Sequence, residues 1–129
     1  MKRGVLLFAH GARDPLWSAP FNGVAERVRK AEPALAVELA FLEFMPPTLR
    51  EAGQRLVASQ CTAVDVVPLF LGAGGHVRKD LPALLEELAA EHPQVRWRLR
   101  TAIGEIDAVI DAMAGSVLRM VGDDTGAPR

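Results

Sequence analysis

Four times along this chain a short apolar run gives way to a stretch in which apolar residues recur every three or four positions. The runs are Gly4–Ala9, Ala36–Phe44, Ala63–Phe70 and Val95–Leu99. Each has the length of a strand, and the first is apolar without interruption, as expected where a strand is covered on both faces. The helical pattern follows each in turn. It runs from Ser18 or Asn22 through Val24, Val28 and Ala31 towards Pro33, and from about Thr48 to Ser59 with Leu49, Ala52, Leu56 and Val57 on one face. It resumes from Val77 or Asp80 to Glu91 with Leu81, Leu84, Leu85 and Leu88, Pro82 falling in the first turn. A last helix, Glu105–Val121, turns Ile106, Val109, Ile110, Met113, Val117 and Leu118 towards the core. The order βαβαβαβα predicts an α/β fold: a four-stranded, mostly parallel sheet flanked by helices and joined by right-handed crossovers. Val95–Leu99 is shorter and more polar, which predicts an edge strand. Residues 1–122 read as one domain and 123–129 as a flexible tail.

Composition narrows what such a domain does. With 129 residues, 50% of them hydrophobic and 24% charged, the chain carries an ordinary globular core. A net charge of −1 lacks the basic field of a nucleic-acid binder. The single cysteine, Cys61, excludes an intrachain disulfide and a cysteine-rich zinc site, and suits a reducing cytosol. The apolar run after Met1-Lys2-Arg3 stops at His10, too short to span a bilayer, and reads as a first buried strand rather than a leader. The expectation is a cytoplasmic protein with neither nucleic acid nor membrane as partner.

In a parallel sheet all strand carboxyl ends share one edge, and ligands bind there. The first strand runs into His10, the second ends at Glu43, and the third leads through Gly72, Gly74 and Gly75 to His76. Two imidazoles and a carboxylate converging from three corners suit a divalent first-row metal and leave coordination positions open. Each residue also has a plainer role. A histidine after a strand commonly hydrogen-bonds its own loop. Glu43 could sit on an outward edge, although a carboxylate in an apolar run is costly to bury unpaired. The glycines could serve a turn or a phosphate at the helix start, but they match neither a Walker A loop nor G-x-G-x-x-G. Arg13, Arg78 and Lys79 lie in the same loops; they are either solvated charge or a basic rim for a carboxylate-rich ligand. Trp17, Trp97, Met45 and Cys61 read as packing residues, Trp17 and Met45 close enough to wall a pocket. His92, at a helix end before Pro93, reads as a surface residue complementing the helix dipole.

At these residues the chain resembles a known family. His10-Gly11-Ala12-Arg13-Asp14-Pro15, Phe41-Leu42-Glu43-Phe44 and the run from Pro68 to Pro82 are similar, in order and spacing, to the small single-domain class II tetrapyrrole chelatases of the sirohydrochlorin cobaltochelatase/ferrochelatase (CbiX/SirB) type. Phosphoglycerate-mutase-like phosphatases also place a His-Gly near the N-terminus, but after an arginine, where this chain has Ala9. The resemblance implies a chelatase-like α/β fold and insertion of cobalt, iron or nickel as Co2+, Fe2+ or Ni2+ into sirohydrochlorin, towards cobalamin or sirohaem. It implies that His10, Glu43 and His76 are the catalytic and metal-handling residues, with Arg13, Gly72, Gly74, Gly75 and Arg78 against the substrate. The metal would be a substrate, with no permanent cofactor. Larger relatives contain two such domains, so the resemblance implies a homodimer here. The alternatives are a metal or tetrapyrrole carrier without catalysis and a histidine-dependent phosphatase.

Overall fold

A computed structural model describes residues 1–72 and 74–122, and His76 by its backbone alone. The expected tail at 123–129 lies outside the described residues. The order of elements is β1 (Lys2–Ala9), a 3-10 turn (Pro15–Ser18), α1 (Ala19–Ala31), β2 (Ala36–Phe41), α2 (Leu49–Ala58) and β3 (Cys61–Pro68). Then come α3 (Gly75–Glu91), β4 (Arg96–Leu99), a second 3-10 turn (Ile103–Glu105) and α4 (Asp107–Gly122). The four strands form one sheet in the order β2-β1-β3-β4, every pair parallel. The polar strand β4 is at an edge, as expected.

Alternation along the strands builds a core on each side of the sheet. Leu6, Phe8, Ala40, Val64 and Val66 face α2 and α3, where Leu49, Ala52, Leu56, Leu81, Leu85 and Leu88 meet them. Leu7, Ala9, Val37, Leu39 and Phe41 face the opposite way, towards Ala25 of α1 with Phe21 and Val28 beside it. Phe8, Phe70, Leu6 and Leu56 are among the largest fully buried side chains. Trp17 stacks on Phe21 at 4.6 Å and meets Phe41 edge-on, so it belongs to the α1 side of the core. Helix α2 begins in a capping box: Glu51 N–H donates to the Thr48 hydroxyl, and Thr48 N–H donates to the Glu51 carboxylate. These bonds hold the Glu51 carboxyl below its ordinary pKa.

Several boundaries differ from the sequence reading. Strand β2 stops at Phe41, because Phe44 takes a positive φ of 71° and the chain leaves the sheet. Strand β3 begins earlier, at a buried Cys61. Helix α3 starts at Gly75, so His76, Arg78 and Lys79 belong to its first turn rather than to a loop, and Pro82 stands inside the helix. There the proline costs one backbone bond on an exposed face. His92 caps the end of α3 half-buried beside Trp97, whose indole N–H donates to the His92 carbonyl.

The largest departure is α4. Its apolar stripe is in place, but it faces outward. Ile106 is 39% exposed, Ile110 45%, Met113 39%, Val117 56% and Leu118 70%, and α4 has no buried residue. Among the described elements its substantial packing is on the 3-10 turn just before it. Periodicity reports that a helix has an apolar side; it does not say which surface that side meets.

Candidate functional site

The sheet order reverses direction between β1 and β3, since β2 lies to one side of β1 and β3 and β4 to the other. In open α/β sheets the crevice outside the strand carboxyl ends at such a point is where ligands bind. The residues there are His10 after β1, Leu69 to Gly72 with Gly74 and Gly75 after β3, and the β2 loop folded beside them.

His10 is half-buried, and its ring lies on Phe70 with centroids 4.3 Å apart and planes tilted 31°. Phe70 is itself buried against Phe8, so the imidazole rests on a fixed aromatic floor. The β1 and β2 loops are joined by backbone. Leu42 N–H donates to Ala9 O at 2.9 Å and Glu43 N–H to His10 O at 3.1 Å, tying the two loops together just past the ends of both strands. Gly11 makes that junction possible. Its φ is +90°, and a Cβ there would run into the Glu43 carbonyl oxygen. Sequence reasoning missed Gly11 and Phe70; the sequence signal for Gly11 was a glycine directly after a candidate ligand at a strand end.

The side chain of Glu43 is exposed and lines a cavity of about 230 Å³ with Phe8, Leu42, Val77, Asp80 and Leu81. The carboxylate therefore sits not within an apolar strand but in the bend that follows one. Asp80 was not singled out from the sequence, yet it brings a second carboxylate to that cavity from the first turns of α3. A neighbouring cavity of about 210 Å³ shares Val77 and Leu81 and is lined by Phe70, Arg78, Arg100 and Thr101. Arg13 is exposed, its guanidinium 4.6 Å above the Phe44 ring, which ties the β1 loop to the β2 loop a second time.

The structure thus brings His10, Glu43 and Arg13 together on one edge, with the backbone of His76 entering α3 alongside. The side chain of His76 lies outside the described residues. Among those that are described, no three His, Cys, Asp or Glu side chains gather closely enough to hold a metal. Gly72, Gly74 and Gly75 have open space where a Cβ would stand and none has a positive φ, so nothing among the described residues demands glycine at these positions. Among the described residues no helix is long and apolar enough to cross a membrane.

Residues 4–119 match the CbiX family model. The sirohydrochlorin cobaltochelatase of Saccharolobus solfataricus is 43% identical over 82 residues, 64% of this chain and 62% of that one. The chain thus aligns with less than two thirds of that relative's length. The crystal structure of a putative cobalamin biosynthesis CbiX protein from Marinobacter aquaeolei VT8 superposes with a TM-score of 0.82 at 34% identity, covering 93% of this chain and 98% of that one. The sirohydrochlorin chelatase SirB from Bacillus subtilis subspecies spizizenii, solved in complex with cobalt, superposes with a TM-score of 0.78 at 27% identity. The match takes in 89% of this chain and 49% of SirB.

Proposed function

The chain belongs to the CbiX family, and from that premise we propose that it is a sirohydrochlorin chelatase, a lyase-type enzyme that inserts a divalent metal ion, cobalt or iron, into sirohydrochlorin. The observation that carries this reading is the junction of the β1 and β2 loops. It holds His10 and Glu43 on one carboxyl edge, beside the first turn of α3 where His76 enters. That edge is the position from which this fold addresses ligands.

The chemistry needs ring N–H protons removed, water shed from the metal, and ligands exchanged for ring nitrogens. Neutral His10 and His76 supply nitrogens that can hold the metal or accept ring protons near neutral pH. One imidazole cannot do both at the same instant, so the roles alternate or are divided. Glu43 offsets metal charge, and Asp80 in the same cavity adds to the field that draws a cation in. Open space at Gly72, Gly74 and Gly75 lets a flat macrocycle approach the backbone. Arg13 and Arg78 meet peripheral carboxylates, to which a guanidinium fork is well matched. The metal is a substrate in this scheme.

The reading carries with it a homodimer acting in the cytoplasm, towards cobalamin or sirohaem. The exposed apolar side of α4 supports the dimer. The free thiol of Cys61 fits a reducing compartment.

The test is His76→Ala, followed by the absorbance change on metal insertion with Co2+ and with Fe2+. Loss of turnover in a folded variant supports the assignment. Turnover at the wild-type rate sinks His76 as a metal-handling residue, and wild-type protein that merely binds sirohydrochlorin without accelerating insertion points to a carrier.

A further inference from the structure

A large apolar side chain left in solvent forgoes the stability that burial gives, so where such residues stand is informative. Apart from Met1, Val24 and the stretch from Ile106 to Val121, the large apolar residues exposed among those described are Leu16 at 80%, Phe44 at 55% and Leu71 at 70%. Each follows a different strand at the carboxyl edge of the sheet: Leu16 in the 3-10 turn beyond the β1 loop, Phe44 after β2 and Leu71 after β3. Two of them flank His10, since β2 and β3 lie on opposite sides of β1. Glu43, one residue before Phe44, donates its N–H to the His10 carbonyl, and the ring of Phe70, one residue before Leu71, carries the His10 imidazole.

Both are held outward by the fold. Phe44 takes a φ of 71°, a left-handed conformation that a bulky side chain adopts only under constraint. Strain of this kind, on a residue left mostly in solvent, points to function. The Arg13 guanidinium lies 4.6 Å above the Phe44 ring and steadies it, while more than half of the residue stays exposed. Leu71 is fixed through its backbone. Gly104, buried in the 3-10 turn before α4, donates its N–H to the Phe70 carbonyl at 2.9 Å, and a Cβ at Gly104 would run into the Leu71 carbonyl. That turn clamps the β3 loop and leaves the Leu71 side chain in solvent.

We propose that Phe44 and Leu71 are substrate-binding residues: they meet the apolar face of the tetrapyrrole on either side of the His10 imidazole, and Arg13, stacked on Phe44, meets a carboxylate at the edge of the same macrocycle. A tetrapyrrole has this divided character, with flat apolar faces and a polar rim. An aromatic ring with a guanidinium laid on it matches both parts. The apolar area that the free chain leaves exposed at these two residues is then covered in the complex, so its burial favours binding rather than folding. The assignment rests on the chelatase reading above, which supplies the ligand.

Equilibrium dialysis of metal-free sirohydrochlorin against wild type, Phe44→Gly, Leu71→Ser and Leu16→Ser tests it, with urea unfolding of each protein alongside. Phe44→Gly is expected to weaken binding by at least about tenfold, equivalent to about 1.4 kcal/mol. Its unfolding midpoint should be no lower than that of wild type, because glycine accepts a φ of 71° without strain. A side chain that only braced the loops would lower midpoint and affinity together; that joint fall overturns the assignment, and so does unchanged affinity. Leu71→Ser, at an exposed position, is expected to keep the fold and weaken binding about threefold or more. Leu16→Ser, as exposed but without a link to His10, is expected to bind as wild type does, and equal losses from the two leucines would refute the placement beside His10. In steady-state insertion assays Phe44→Gly should raise KM for sirohydrochlorin and leave KM for Co2+ where it was; a rise confined to the metal contradicts the contact. Wild type that binds no sirohydrochlorin overturns the chelatase reading and this assignment together. Wild type that binds and inserts metal, with Phe44→Gly and Leu71→Ser binding equally well, overturns this assignment alone. Binding that depends on Phe44 and Leu71 without accelerated insertion supports the contact and counts against the chelatase reading alone.

Discussion

Replacing Gly11 by alanine isolates the feature on which the candidate site depends. A side chain at a φ of +90° carries about 1–2 kcal/mol of backbone strain. The new methyl also collides with the Glu43 carbonyl, so the β2 loop must move. That movement threatens the bonds from Leu42 N–H to Ala9 O and from Glu43 N–H to His10 O, each contributing about 1 kcal/mol net. Together the loss is roughly 2–4 kcal/mol. For a domain of this size, which falls between the small and mid-sized ranges, that is a fall in Tm of roughly 6–20 °C. Urea unfolding followed by circular dichroism reads it as a lower midpoint at unchanged slope. Gly72→Ala is the control. With open space around it and no positive φ, it should stay within about 0.5 kcal/mol of wild type. A Gly11→Ala midpoint indistinguishable from that control would refute the reasoning, because the junction between the loops would then not need glycine.

Thr48→Ala should cost about 1 kcal/mol by opening the capping box at α2. Since those same bonds depress the Glu51 pKa in the folded state, their contribution is present above the unfolded carboxyl pKa and is lost as pH falls through the folded one. The stability gap between Thr48→Ala and wild type should therefore narrow in acid, and a gap constant from neutral pH to below the carboxylate range would contradict it. Burial pushes the Cys61 thiol pKa up, so Cys61 should react with Ellman's reagent in native protein only as fast as the chain opens, and promptly in urea. Rapid labelling at neutral pH without denaturant would show that Cys61 is not enclosed. Glu43→Gln should leave stability unchanged, because the side chain is exposed, while slowing metal insertion; equal rates from pH 6 to 9, roughly the range in which imidazole and metal-bound water titrate, would make Glu43 a surface residue.

The fold was legible because its signal is redundant. Four apolar runs, each followed by helical spacing, leave few arrangements besides a covered parallel sheet, and an error of two or three residues at a boundary does not alter that. The α3 stripe of Leu81, Leu85 and Leu88 went into the core as its spacing required. Boundaries failed where the cause was conformational rather than compositional. The run Phe41-Leu42-Glu43-Phe44 reads as strand to its end, but the positive φ at Phe44 turns the chain away after Phe41. Pro82 suggested a helix start, yet an exposed face tolerates a missing donor inside α3. At the site, His10 and Glu43 were visible as ionisable residues at strand ends, whereas Phe70 beneath His10 and Asp80 beside Glu43 become neighbours only once the strands are ordered. The direction of α4 was out of reach, because an amphipathic pattern is the same whether the covering surface belongs to the same chain or to another.

The sheet order has a consequence for how the chain assembles. β1 occupies an interior position, paired with β2 on one side and with β3 on the other. Its pairing partners Cys61–Pro68 lie some sixty residues further along, so this interior strand is completed by the more distant of its contacts. Until Pro68 has emerged from a ribosome, Leu6, Leu7 and Phe8 have one flank of the backbone open. The apolar strand must be guarded through about half the synthesis of the domain. A fold that presents its ligand edge between β1 and β3 therefore acquires that edge late, at the same step that closes the sheet.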